Sequence, residues 1–73
     1  MTLKEVEIGK TVKVARLLCT GKLKRRLLDM GITKDVEITV RKVAPLGDPL
    51  ELTVRGYELS LRKAEAEAVE IKA

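Results

Sequence analysis

Four positive charges fall within five residues at Lys22, Lys24, Arg25 and Arg26, the densest chemical feature of the sequence. A cluster of this kind can steer and hold an acidic partner or a phosphate backbone, and it can equally be a solvated helix face. The whole chain carries fifteen Lys plus Arg against eleven Asp plus Glu, a net charge of +4. That charge is polarised. Residues 1–42 hold eleven basic and five acidic side chains (+6), whereas residues 43–73 hold four and six (−2). Nucleic acid is disfavoured as the partner. Proteins that hold single strands stack bases on several aromatic rings, and Tyr57 is the only aromatic residue here.

Other chemistries find little material. Gly9-Lys10-Thr11 resembles the tail of a phosphate-binding loop, but that motif needs a glycine five positions before Gly9, where Lys4 stands. It must also follow a buried strand and open a helix, and here a strand pattern follows. There is no His, so the commonest general base and transition-metal ligand are missing. Cys19 alone cannot complete a zinc or iron–sulfur ligand set within one chain. A lone cysteine is more often a small buried hydrophobe than a reactive thiol, and a metal site through Cys19 would have to be shared between chains. Glu65, Glu67 and Glu70 read as ordinary acidic surface. The inventory describes neither an enzyme nor the holder of a tight cofactor, and a transition-metal ion would meet only surface carboxylates.

The 73 residues allow one domain, and 45% of them are hydrophobic and 36% charged. No run of 18 apolar residues is present to span a membrane. The charge-broken start Met1-Thr2-Leu3-Lys4-Glu5-Val6-Glu7 is unlike a secretion signal, and the single cysteine suits a reducing, cytoplasmic compartment.

Alternation of apolar and polar residues predicts five short strands: Thr11 to Leu17, Asp35 to Arg41, Leu50 to Val54, Tyr57 to Arg62, and Val69 to Ile71. Val36, Ile38 and Val40 face inward in the second strand, and Tyr57, Leu59 and Leu61 share one face of the fourth. Arg55-Gly56 reads as a compact hairpin turn. Ala44-Pro45-Leu46-Gly47-Asp48-Pro49 reads as an ordered loop that cannot continue a ladder. From Lys22 to Met30 the period changes. Leu23, Leu27 and Met30 recur at helical spacing, with Thr20 placed to cap the start and Gly31 the end. Leu28 lies about 100° round from Leu27, and the favoured reading is a wide core-facing stripe that takes it in, with a protein-contact surface as the alternative. A single helical turn fits near Ala64 to Ala68. The expected fold is all-β: a small barrel of about five strands with one short helix inserted after the first.

Three segments together resemble the ferrous iron transport protein A (FeoA) family. They are Arg25-Arg26-Leu27-Leu28-Asp29-Met30-Gly31-Ile32, the loop Ala44-Pro45-Leu46-Gly47-Asp48-Pro49, and Leu61-Arg62-Lys63-Ala64-Glu65-Ala66. The resemblance runs through essentially all 73 residues. It implies a single SH3-like barrel domain over residues 1–73, in the cytoplasm of a prokaryote. It also implies work with a large membrane ferrous iron transporter, FeoB-like, that carries a cytosolic GTP-binding domain. Similar barrels form the C-terminal domains of iron-dependent repressors of the diphtheria-toxin type. One departure is visible: the family often has Pro-Gly after the helix, and here Lys34-Asp35 stands, where Asp tolerates a tight turn.

The expected function is therefore an accessory or regulatory role in ferrous iron uptake, exerted by protein–protein contact. The alternatives are a nucleic-acid-associated barrel using the basic helix, and a metal-sensing or dimerisation module of repressor type. Lys24, Arg25 and Leu28 on the helix, with Leu46 on the proline-bounded loop, are the candidate contact residues. Weak self-association is compatible with this reading. Because Gly9-Lys10-Thr11 lacks the upstream glycine, the isolated protein is expected neither to bind nor to hydrolyse GTP or ATP. Calorimetry at millimolar nucleotide tests this, and saturable binding to one site would contradict it.

Overall fold

The computed structural model describes residues 1–72. A 3-10 turn over Leu3–Glu5 leads into β1 (Thr11–Leu17), α1 (Gly21–Asp29), β2 (Glu37–Val43), β3 (Leu50–Val54), β4 (Tyr57–Leu61), α2 (Lys63–Ala66) and β5 (Val69–Lys72). All strand pairs are antiparallel, in one sheet of order β4-β3-β2-β1-β5. β1 pairs with β2 through Thr11, Val12 and Lys13, and with β5 from Lys13 onward. A register shift between Val14 and Arg16 bends the strand there, so the sheet folds over its own inner face.

The alternating apolar residues meet on that inner face. Val14, Val36, Ile38, Val40, Leu50, Leu52, Val54, Leu61, Val69 and Ile71 are buried, joined by Leu3, Val6, Leu27, Ile32 and Ala66. The expected inward set of β2 is right, but the strand starts two residues later than the alternation suggests. Asp35 sits at φ 67, a left-handed turn conformation, and Lys72 pairs with its carboxylate. The turn that departs from Pro-Gly is thus made by Asp. The hydrogen bond from Lys72 holds the Asp35 carboxyl below its ordinary range. A second register shift between Val40 and Lys42 carries β2 on to Val43. On β4, only Leu61 is fully inside. Leu59 is half-buried, and Tyr57, on the edge strand opposite the buried Val54, is 72% exposed.

Helix α1 cannot persist unaided at nine residues. Its C-terminus is closed by a Schellman arrangement. Gly31, at φ 92, donates to the Leu28 carbonyl at 3.0 Å, and Ile32 N–H donates to the Leu27 carbonyl at 3.0 Å. Leu27 and Ile32, the hydrophobic pair that accompanies this motif, are both fully buried. Leu23 and Met30 pack partly against the same core. Thr20 occupies the N-cap position in extended conformation, yet its side chain makes no capping hydrogen bond.

The Glu65 carboxylate was expected at the surface and instead is buried, 7% exposed. It has two partners to make that tolerable. One oxygen accepts from Arg62 N–H at 2.9 Å, capping α2, and the other lies 3.2 Å from Arg26 Nη1 on α1. From the other side, Lys63 N–H donates to Asp48 Oδ1 at 2.9 Å. One four-residue helix therefore anchors both α1 and the 44–49 loop.

Removing the Glu65 carboxylate strands Arg62 N–H and frees Arg26 together. Glu65→Ala is expected to lower stability by about 1–3 kcal/mol, and Glu65→Gln, which keeps one acceptor, by less. In a chain of this size each kcal/mol moves Tm by roughly 4–8 °C, so thermal melts resolve the order. Equal melting of all three proteins would contradict the assignment. Gly47 and Gly56 lie at φ 82 and 83 with open space where a Cβ would go, so the strain of Gly→Ala there is of the backbone alone. A loss of roughly 1 kcal/mol or more is expected at each. Unchanged melting temperatures would show that the turns relax without penalty.

Candidate functional site: the exposed face of the first helix

The burial of Leu27 and the partial burial of Leu23 and Met30 decide what α1 presents outward. Lys22, Lys24, Arg25, Arg26 and Leu28 are all exposed, with Leu28 at 42%. Leu28 thus lies outside the core stripe, not within a wider one. Among the described residues Arg26 is the one member of the basic cluster held in an ion pair, to Glu65 at 3.2 Å. Lys22, Lys24 and Arg25 are left without carboxylate partners in that set. Lys24, Arg25 and Leu28 line one shallow depression of about 330 Å³ with Gly21 and Asp29. Its lining combines one leucine with two cations and one carboxylate, a combination that can receive a hydrophobic side chain beside an acidic group.

Leu46 is 93% exposed on the 44–49 loop, the most exposed of the large hydrophobic residues. It does not line the depression. The structure joins three of the four candidate residues in one surface feature, and leaves the fourth on a separate element. The link between them is α2, tied to α1 through Glu65–Arg26 and to the loop through Asp48–Lys63. Sequence reasoning missed this bracket. The signal was the Arg62-x-x-Glu65 spacing, which is that of a capping box without the usual Ser or Thr at its head.

The remaining candidates for chemistry are placed as follows. Gly9 N–H donates to the Val40 carbonyl at 2.7 Å and the Lys10 carbonyl accepts from Val40 N–H at 3.0 Å, so the turn before β1 spends its backbone groups on the sheet. Cys19 is half-buried against the core. No three carboxylates or thiols converge as a metal-binding group among the described residues. An apolar groove of about 300 Å³, lined in part by Met1, Val6, Val12 and Ile71, lies where the N-terminal segment meets β1 and β5. No pattern in the sequence announced it. No helix among the described residues is long and apolar enough to cross a membrane.

Comparison with known proteins agrees with this geometry. Over 72 residues the chain is 33% identical to an Fe(2+) transport protein A/Fe(2+) transporter FeoB fusion protein of Porphyromonas gingivalis, aligning 99% of this chain with 8% of that protein. The chain thus spans a small part of that relative's length. An FeoA-like protein from Clostridium acetobutylicum superposes with a TM-score of 0.93 at 44% identity, covering all of this chain and 85% of that one. Stenotrophomonas maltophilia FeoA, solved with zinc and described as a procaryotic SH3 domain protein, superposes with a TM-score of 0.87 at 28% identity over 99% and 89% of the two chains. The barrel is accordingly SH3-like. In fold alone the likeness reaches a manganese-dependent transcriptional repressor, at 19% identity and a TM-score of 0.90 over 41% of that chain. The sequence pattern of the FeoA domain matches residues 1–73, and the chain belongs to the FeoA domain family.

Proposed function

We propose that this chain is a cytoplasmic accessory protein of ferrous iron uptake, which acts by docking on the cytosolic face of a membrane ferrous iron transporter with a GTP-binding domain. The observation that carries this reading is the Porphyromonas gingivalis protein, in which a homologous segment is joined to a ferrous iron transporter in one polypeptide. Covalent joining makes sense where two parts must work side by side. The chain contributes a binding surface rather than catalysis, since its inventory lacks His and the Gly9-Lys10-Thr11 turn is absorbed in the sheet.

The contact surface is assigned to Lys24, Arg25 and Leu28 around their depression, with Leu46 as an additional apolar contact. Unpaired cations on a pinned helix speed encounter with an acidic patch, whereas a desolvated leucine holds the complex once formed. Proline at positions 45 and 49 restrains the loop and reduces the entropy lost when Leu46 docks.

Binding of this chain to the soluble domain of such a transporter tests the assignment. Charge reversal by Lys24→Glu and Arg25→Glu is expected to slow association and weaken its salt dependence, and Leu28→Ala mainly to speed dissociation. Circular dichroism checks that each variant keeps the barrel. Full binding by a folded triple variant would place the interface elsewhere, and no binding by the wild-type chain would refute the docking itself.

A further inference from the structure

Every sheet has two edges, and the two edges of this one are treated differently. On β5 the free side is covered: Thr2 forms a bridge with Glu70, and Ile71 N–H donates to the Met1 carbonyl at 3.0 Å. On β4 only β3 lies alongside as a strand. β4 reads Tyr57-Glu58-Leu59-Ser60-Leu61, with no proline and no lysine, and its register with β3 runs without a shift. Proline and a bulge, two usual defences of an edge strand, are thus absent, and Glu58 is the one charge the strand carries.

The hairpin turn fixes which backbone groups face outward. Arg55 and Gly56 both have positive φ, at 51 and 83, the signature of a two-residue type I′ turn. In such a hairpin the flanking residues Val54 and Tyr57 exchange both hydrogen bonds, and so do Leu52 with Leu59 and Leu50 with Leu61. The N–H and C=O groups of Glu58 and Ser60 therefore point away from β3. None of these four groups is bonded to another described residue outside the strand ladder. The series stops at Arg62, whose N–H is given to Glu65 and whose carbonyl accepts from Glu65 N–H and Ala66 N–H at 2.9 Å each.

We infer that this edge pairs with the same edge of a second copy of the chain, antiparallel about a twofold axis through Leu59. In that register Glu58 lies opposite Ser60 of the second copy and Ser60 opposite its Glu58. All four free groups of each copy are then satisfied, by four new hydrogen bonds in total. Leu59, half-buried, meets Leu59 at the non-hydrogen-bonded position, where side chains approach closest, and the exposed Tyr57 takes the position opposite Leu61, which is itself buried. Two neighbouring registers are disfavoured. Centring on Glu58 sets two carboxylates against each other. Centring on Ser60 needs the Arg62 backbone, which α2 has already engaged. The chosen register sets Glu58 diagonal to Arg62 of the second copy on one side and to its Glu58 on the other, two Glu58–Arg62 attractions against one Glu58–Glu58 repulsion. Self-complementarity of donors, acceptors and charge identifies the occupant as another copy rather than an unrelated strand. Four hydrogen bonds and a small apolar contact make a weak, reversible dimer. It stands independently of the docking assigned to α1.

Analytical ultracentrifugation of the full chain, from micromolar to millimolar concentration, tests the inference. The mass is expected to rise from 8.1 kDa toward twice that value. Ser60→Pro deletes an outward N–H without touching the β3 ladder, a place where proline is tolerated. Glu58→Lys replaces the diagonal attraction to Arg62 by repulsion. Each is expected to weaken association roughly tenfold or more while circular dichroism and melting stay near wild type. Should Ser60→Pro fail to fold, Glu58→Lys and amide exchange in the wild type decide, with the Glu58 and Ser60 amides slowing as concentration rises. A wild-type chain that stays monomeric throughout overturns the inference, as do two folded variants that associate as the wild type does. Protection of these amides only on adding the transporter domain would overturn it too, in favour of a heterologous strand.

Discussion

The barrel turns on a carboxylate that has been taken out of water. Glu65 sits in a helix of one turn, between the last two strands, and it is the only charged side chain buried among the described residues. Burying a charge is costly unless it is hydrogen-bonded and paired, and here it is both: Arg62 N–H donates to one oxygen, and the Arg26 guanidinium is ion-paired with the other. Meeting that requirement fixes the geometry of everything nearby. Arg62 must stop being strand, so β4 ends at Leu61. Arg26 must reach across, so α1 is held in one rotational setting about its axis.

That setting is what gives α1 its outward chemistry. With Leu27 buried, Ile32 closing the helix end and Arg26 drawn to Glu65, Lys22, Lys24, Arg25 and Leu28 can only face solvent. A nine-residue helix free in solution would fray and its cations would be scattered over many arrangements. Pinned at one apolar residue, one cap and one ion pair, it offers them as a fixed set. The cost of ordering the surface is thus met during folding and is not charged again when a partner arrives.

Most of this frame could be read from residue order. The apolar alternation located β1, β3 and β4 closely, because each is buried on one face only and a period of two is then obligatory. Leu23, Leu27, Met30 and Gly31 located the helix to within a residue at each end. What escaped depends on neighbours remote in sequence. The start of β2 moved because Asp35 takes a left-handed turn beside Lys72, thirty-seven positions away. Tyr57 shares its face with Leu61 and stands opposite the buried Val54, yet on the edge strand its own ring is left exposed, so alternation overstated its burial. Glu65 looked like its exposed neighbour Glu67, since nothing local shows that Arg26 is waiting for it. The helix half of the candidate site, Lys24 with Arg25 and Leu28, was legible because exposure on a helix follows from which residues are buried. Leu46 was legible as exposed but not in its relation to the depression, because loop position is set by the tie from Asp48 to α2.

The two proposed surfaces ask for different strengths of interaction, and the fusion in Porphyromonas gingivalis offers a way to compare them. On the docking proposed above, a domain tethered beside its target would experience an effective concentration of order millimolar, so a shallow depression with two cations would be enough to hold it. Supplied as a separate chain, the same domain must find its target by diffusion, and long-range attraction from unpaired cations raises the encounter rate without requiring a larger interface. The proposed docking draws on the excess positive charge of residues 1–42, to which the unpaired Lys22, Lys24 and Arg25 of α1 belong. The β4 edge lies outside this field-driven encounter. Its backbone groups carry no net charge, act only at hydrogen-bonding distance and are specific in register, so pairing there leaves α1 unoccupied. Electrostatic docking and strand pairing can therefore be varied separately, one by salt and the other by concentration.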